Sequence, residues 1–323
     1  MSPRTDAETP DVFTPDVLGP PYTAETISLP DDHEGEVVAT LVRRPAGRRT
    51  QRAVLHVHGF ADYFFQTAYA EWWTQRGYDF YALDLRKYGR SIRAHQTPNY
   101  VADLHHYFPE LDEAWCRVTQ DHGQVVLSGH STGGLTLPLW AQSRRPDARG
   151  IVLNAPWFDL QGKTWVRAAL TPVLQQVARR QPMRVIPRTV TGFYARSIHH
   201  EHEGDWEFDL AWKPIESWPA YAGWLAAIRR GHAELHQGLD LEFPALVLAS
   251  AASANPTEMG EHVHTHDIVL DVDQIRRWAP ALGHHVTYVG IEGARHDVFL
   301  SREPARKRAF DELGRWLTAY VEA

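Results

Sequence analysis

A short apolar run, residues 124–127, leads through Ser128 into Gly129-His130-Ser131-Thr132-Gly133, and a helical pattern follows over 135–143. A serine flanked two residues away on each side by glycine, at a strand-to-helix junction, leaves a chain few folds to choose from. The backbone must turn sharply, and larger side chains at the flanking positions would collide with the returning chain. The serine hydroxyl is left projecting beyond the strand end. The helix N-terminus behind it favours negative charge developing there.

The remaining pattern is consistent with that junction. Strand-like runs recur at 25–29, 36–42, 53–57, 80–83, 124–127, 150–153, 245–248 and 286–289. Helical patterns are expected at 65–76, from an Asn99 cap to about residue 120, at 135–143, 274–282 and 304–321. Such alternation predicts an α/β protein with a mostly parallel central sheet. One interval breaks the rhythm. About 90 residues separate the sixth and seventh strand-like runs, far more than a crossover needs. The surplus, 157–241, is expected to form a helical cap inserted after the sixth strand, with the core made of 23–156 and 242–323. Six of the twelve tryptophans fall in this insert: Trp157, Trp165, Trp206, Trp212, Trp218 and Trp224. They are expected to form a small core of its own; the alternative, compatible with it, is that some line an apolar pocket beneath it. Residues 1–22, rich in Pro, Asp and Thr, are expected to be a flexible tail.

Charge narrows the function. With 33 Lys and Arg against 40 Asp and Glu, the net charge is −7, so no basic field exists to draw in nucleic acid. The pairs Arg43-Arg44, Arg179-Arg180 and Arg229-Arg230 are expected to be solvated. The single cysteine, Cys116, is expected to be a packed thiol beside Trp115 and permits no intrachain disulfide. The first residues contain no apolar signal-like stretch. The window 122–143 lacks acidic and basic residues but carries glycines, histidines and a proline, which suits no bilayer span. A cytoplasmic location is the expectation.

A serine at its free pKa needs a base. Ser131 is the candidate nucleophile, and a base placed after the last strand would be His296. His284 and His285 precede that strand, at the wrong end of the sheet. His130 is expected to point away under the turn, and His56 to be packed within its strand. The orienting acid should follow the strand at 245–248, but the chain then runs on without an obvious candidate. Asp267 is the preferred acid; Asp271, Asp273 and Asp159 compete, and Asp271 or Asp273 could instead cap the next helix. Oxyanion donors are expected from the amides of Thr132 and Phe60, with Gly59 allowing close approach. His262, His264 and His266 alternate, so a strand would place them on one face; His199, His200 and His202 form a second cluster. Without a cysteine beside them, they are expected to be solvated rather than metal-binding, with a substrate contact from the insert's histidines as the minor alternative.

His58-Gly59-Phe60, Asp84-Leu85-Arg86-Lys87-Tyr88-Gly89-Arg90-Ser91, the Ser131 motif and Gly293-Ala294-Arg295-His296-Asp297 follow in this order. Together they resemble the α/β-hydrolase superfamily, and within it the monoacylglycerol lipase/lysophospholipase-like serine hydrolases with a serine aminopeptidase S33-type domain. Lys87-Tyr88 departs from the usual Gly-His, and the long segment before Asp267 departs further. The resemblance implies an α/β-hydrolase fold with a cap over the site, cleavage of carboxylic esters, a small-molecule ester substrate and no cofactor. Serine at the turn separates the chain from the epoxide hydrolases and haloalkane dehalogenases, which carry aspartate there. His58-Gly59-Phe60-Ala61-Asp62 separates it from the His-Gly-Gly-Pro-Gly of proline iminopeptidases. Acyl transfer to another acceptor, amide hydrolysis and non-catalytic ligand binding are the competing functions.

Overall fold

The computed structural model describes residues 13–162, 164–187 and 190–322. Nine strands form one sheet: β1 (Thr14–Pro15), β2 (Thr23–Asp32), β3 (Gly35–Arg44), β4 (Arg52–Val57), β5 (Asp79–Asp84), β6 (Gln124–His130), β7 (Gly150–Asn154), β8 (Ala245–Ser250) and β9 (Val286–Ile291). Their spatial order is β1-β2-β3-β5-β4-β6-β7-β8-β9. The run from β5 through β9 is parallel, and β1, β2 and β3 add an antiparallel edge.

Period-two alternation builds both faces. Ala53, Leu55 and Val57 of β4, Val125 and Leu127 of β6, and Ile151 and Leu153 of β7 pack on one side. There they meet α2 (Phe108–Asp121), α3 (Gly133–Arg144) and α8 (Val272–Trp278). Val54, Val126 and Val152 face the other side, against α1 (Thr67–Gln75) and α9 (Ala305–Tyr320). Both faces of the central strands are apolar because both are covered.

Several expectations need correction. The tail is shorter than 1–22: residues 1–12 lie outside the described residues, but Thr14–Pro15 already pairs with β2, and Asp16 bonds Arg90 at 2.6 Å. β1 adds a strand to the count, so the strand that precedes the insert, Gly150–Asn154, is the seventh rather than the sixth, and the insert follows the strand expected. Asn99 caps no helix. It lies at φ 59° and donates to the Lys87 carbonyl, while a 3-10 turn at Leu104–Tyr107, capped by Asp103, precedes α2. Cys116 is exposed on α2, not packed. Arg229 is not solvated; it donates to Asp159 at 2.6 Å.

The segment between β7 and β8 carries α4 (Thr164–Arg180), α5 (Phe193–Ile198) and α6 (Ala222–His236). α6 packs on α3 and α4. Trp206 Nε1 donates to the Leu300 carbonyl at 3.1 Å, and the Asp209 amide donates to the Tyr63 hydroxyl at 2.7 Å. The tryptophans divide the two expected roles. Trp206 and Trp212 join a small cluster with Tyr63, Phe65 and Phe208, whereas Trp157 and Trp224 line a cavity; the Trp165 side chain lies outside the described residues. Among the described residues no helix is long and apolar enough to cross a membrane.

Candidate active site

Ser131 occupies the junction between β6 and α3 with φ 52°, a left-handed conformation that non-glycine residues adopt only where the surroundings enforce it. Its amide donates to the Asn154 carbonyl at 3.0 Å, which pins the turn to the end of β7. Gly133 is required for close approach: a Cβ there would run into the carbonyl oxygens of Val57 and His58. A Cβ on Gly59 would fall 2.9 Å from Ser131 Cβ, so the loop after β4 closes directly over Ser131. Phe60 follows in that loop, and Thr132 stands at the start of α3. Both line the cavity beside Ser131.

His296 Nε2 lies 3.0 Å from Ser131 Oγ, and His296 Nδ1 lies 2.9 Å from Asp267 Oδ2. The second carboxylate oxygen, Oδ1, accepts from the amides of Val269 and Leu270 at 2.8 and 2.7 Å. Asp267 is therefore fully engaged as an acceptor and completely buried. The long segment before it is a detour. The chain leaves β8, forms α7 (Glu261–Thr265), and returns so that Asp267 pairs with Ser253 in a parallel bridge. The Asp267 amide donates to the Ala252 carbonyl at 3.0 Å, and the Ala254 amide to the Asp267 carbonyl at 3.0 Å. In space, Asp267 stands just past the end of β8.

The competing carboxylates are engaged elsewhere. Asp271 caps α8, Asp273 is paired with Arg276 at the surface, and Asp159 holds Arg229. His56 is packed as its strand position implies, against Phe64, Tyr69 and Phe80, with Nδ1 2.9 Å from Ser128 Oγ. His130 differs from expectation. Its ring lies 4.9 Å from that of His296 and lines the cavity, with Nδ1 3.1 Å from the Asn154 carbonyl. Burial holds its pKa below the usual imidazole range. Asn154 also donates to Asp297 at 2.6 Å and accepts from the Val298 amide, so one side chain ties the serine turn to the histidine loop.

The cavity encloses about 680 Å³, inside the range of small-molecule sites. Its walls are mainly apolar, with the Phe60 ring tilted against Trp224 at 4.1 Å and Trp224 beside Trp157. One charged pair interrupts them: Lys213 Nζ, from the insert, lies 2.9 Å from Asp62 Oδ1 in the loop after β4. Burial pushes the Asp62 carboxyl up, but Lys213, with His130 and His58, outweighs it and leaves the pKa lowered. Tyr194 packs edge-on to His296 at 5.6 Å, and burial pushes its hydroxyl pKa well up, so it is neutral. Nothing in the local sequence distinguishes Asp62, Lys213 or Tyr194. They become neighbours only when the insert folds over the sheet.

The histidine trio does not share a face. Residues 261–265 are helical, which buries His264 and leaves His262 exposed. His199 is buried and bonded to the Phe208 carbonyl. None of these histidines lines the cavity, and among the described residues no group of three or more His, Cys, Asp or Glu is placed to hold a metal ion.

Comparison with known proteins places this geometry. The phospholipase YtpA of Bacillus subtilis (strain 168) is 31% identical over 118 residues, 36% of this chain and 44% of that protein, so the match spans less than half of that relative's length. A monoacylglycerol lipase of Paleococcus ferrophilus superposes with a TM-score of 0.65 at 18% identity, over 87% of this chain and 99% of that one. A soluble variant of the Saccharomyces cerevisiae monoglyceride lipase, in complex with a substrate analogue, superposes at 0.66 with 16% identity, over 92% and 95%. These two structures establish the α/β-hydrolase fold. The family model described as serine aminopeptidase, S33, matches residues 48–304, from the approach to β4 to beyond His296. On that match, which takes in well over half of the chain, this protein belongs to the serine aminopeptidase S33 family of α/β-hydrolases.

Proposed function

We propose that this protein is a lipase- or esterase-type serine hydrolase that cleaves carboxylic esters with apolar acyl or aryl groups, monoacylglycerol-like esters among them. The observation that carries this is the chain of contacts Ser131 Oγ to His296 Nε2 to Asp267 Oδ2, at 3.0 and 2.9 Å, on the wall of an apolar cavity. His296 takes the Ser131 proton as Oγ attacks the ester carbonyl. Asp267 holds the proton on Nδ1 and stabilises the imidazolium. The amides of Phe60 and Thr132 stabilise the tetrahedral oxyanion; the approach of Gly59 to Ser131 and the position of Thr132 at the start of α3 support this assignment. His296 then protonates the leaving alcohol, and water activated by the same imidazole releases the acid. The scheme uses side chains, two backbone amides and water. The names of the relatives, a phospholipase and two monoacylglycerol lipases, agree with an apolar acyl group.

Intact mass after treatment with a fluorophosphonate tests the reading. A single adduct on the native protein and none on Ser131→Ala is expected, with ester turnover lost in the variant. Near-normal turnover by Ser131→Ala sinks the scheme. No adduct on the folded native protein would favour a ligand-binding protein instead. Product partitioning with added alcohol or amine separates hydrolysis from acyl transfer, and an amide substrate tests amide hydrolysis.

A further inference from the structure

Arg295, immediately before His296, is buried with its Nε unpartnered, and no carboxylate lies within hydrogen-bond distance of its guanidinium among the described residues. Nη1 donates to the Leu300 carbonyl at 3.2 Å. Nη2 lies 2.9 Å from Nδ1 of His264, a residue that is itself buried. A guanidinium has only donors, so Nδ1 must be an acceptor and His264 must be neutral, with its proton on Nε2. That nitrogen lies 3.1 Å from Oε2 of Glu203, in the insert, and donates to it.

Three segments meet at this one ring. Glu203 belongs to the insert, His264 to the detour that ends at Asp267, and Arg295 to the loop that presents His296. The detour therefore does more than return the chain to Ser253: it delivers a side chain that bolts the acid-bearing segment to the base-bearing loop. The charged groups around His264 are consistent with a neutral ring. Burial holds its pKa down; Glu203 raises it, while Arg295 and Arg302 lower it further. Arg302 is itself near Glu261, 3.7 Å away.

Resting on the ester-hydrolase reading above, we propose that His264 is a positioning residue for the triad: its neutral ring holds the Arg295–His296 loop in register with Asp267, braced from the insert by Glu203. A misplacement of reacting groups by about 1 Å can cost on the order of 100-fold in rate, so a bolt three residues from the acid and one from the base belongs in kcat rather than KM.

Two substitutions divide the ring's contacts. Asparagine places an acceptor near the position of Nδ1 and keeps the bond from Arg295 but not the reach to Glu203. Glutamine places a donor near the position of Nε2 and keeps Glu203 but leaves Arg295 without its acceptor. His264→Gln is expected to lower kcat at least about tenfold with KM within about twofold, and to slow fluorophosphonate labelling in parallel. His264→Asn is expected to recover kcat to within about threefold of the native value. The far-downfield proton of the His296–Asp267 bond should persist in His264→Asn and be lost or broadened in His264→Gln. Native kcat in both variants, or equal losses that follow the folded fraction alone, overturns the proposal. Labelling of Ser131 in the native protein is measured first. If it fails, the hydrolase reading fails and this inference with it; if it succeeds while His264→Gln behaves as native, only the inference falls.

Discussion

Ser131 is held in a left-handed conformation that costs on the order of 1–3 kcal/mol, and the surrounding turn bears that strain to aim Oγ at His296. Three carboxylates after β8 could have completed the set, and the choice among them makes a sharp prediction. Asp267→Asn removes the anion that fixes the imidazole tautomer, so kcat should fall by about 10⁴-fold with little change in folding. Asp271→Asn and Asp273→Asn should stay within about threefold, because the first caps a helix and the second is solvated. Kinetics of the three variants on one ester decide it; a collapse in either of the latter two would move the acid. The sequence makes Ser131 and His296 legible because a turn with glycines at fixed offsets and a histidine after the last strand are local signals. Asp267 has no such signal. It is selected by the Ser253 bridge, a contact that exists only once the detour has closed, while the amides of Val269 and Leu270 hold its second oxygen in a local turn.

At the scale of elements, the structure depends on how the insert is fastened. Lys213 and Asp62 join it to the loop that also carries Phe60, through a pair buried on both sides. Removing one partner of such a pair leaves a buried charge uncompensated, at a cost of about 3–5 kcal/mol. Lys213→Met should therefore lower unfolding stability by that amount at pH 7. Asp62 has a lowered pKa in the folded protein, so its contribution is present above the ordinary carboxylate range and lost as pH falls through the lower folded value. The gap between native and variant should be widest at neutral pH and narrow below about pH 4, the unperturbed aspartate range. Urea titrations at several pH values check this, and a gap independent of pH would contradict it. Element types were legible where periodicity was long, as in α9 and the central strands. The segment 261–265 was not, because alternating histidines satisfy a strand pattern while a five-residue helix leaves almost no periodic trace.

For the molecule as a whole, two distant histidines contribute most visibly to the response to acid. His56 lies in the sheet core and His232 on α6, and burial lowers each pKa to about 3. In the unfolded chain each titrates near 6.5, so between about pH 6.5 and 3 the unfolded state binds protons that the native state refuses. Stability should therefore fall with acid, by up to about 1.4 kcal/mol per pH unit for each histidine well inside that window. Chemical denaturation at pH 7 and pH 5 should show the loss, and His232→Gln should flatten it; an unchanged slope in that variant would assign the effect elsewhere. The alternation of strands and helices, the place of the long insert, the serine turn and the histidine after the last strand are all readable along the chain. Each of these is written in side-chain period or in glycine spacing, which act over a few residues. Packing in three dimensions selects which aspartate faces His296, brings Thr14–Pro15 into the sheet, joins Lys213 to Asp62, and seats His264 between Arg295 and Glu203. Those are contacts between residues 8 to 151 positions apart. A buried polar group takes its partner from whatever the packed chain brings within about 3 Å, and no local pattern encodes that distance.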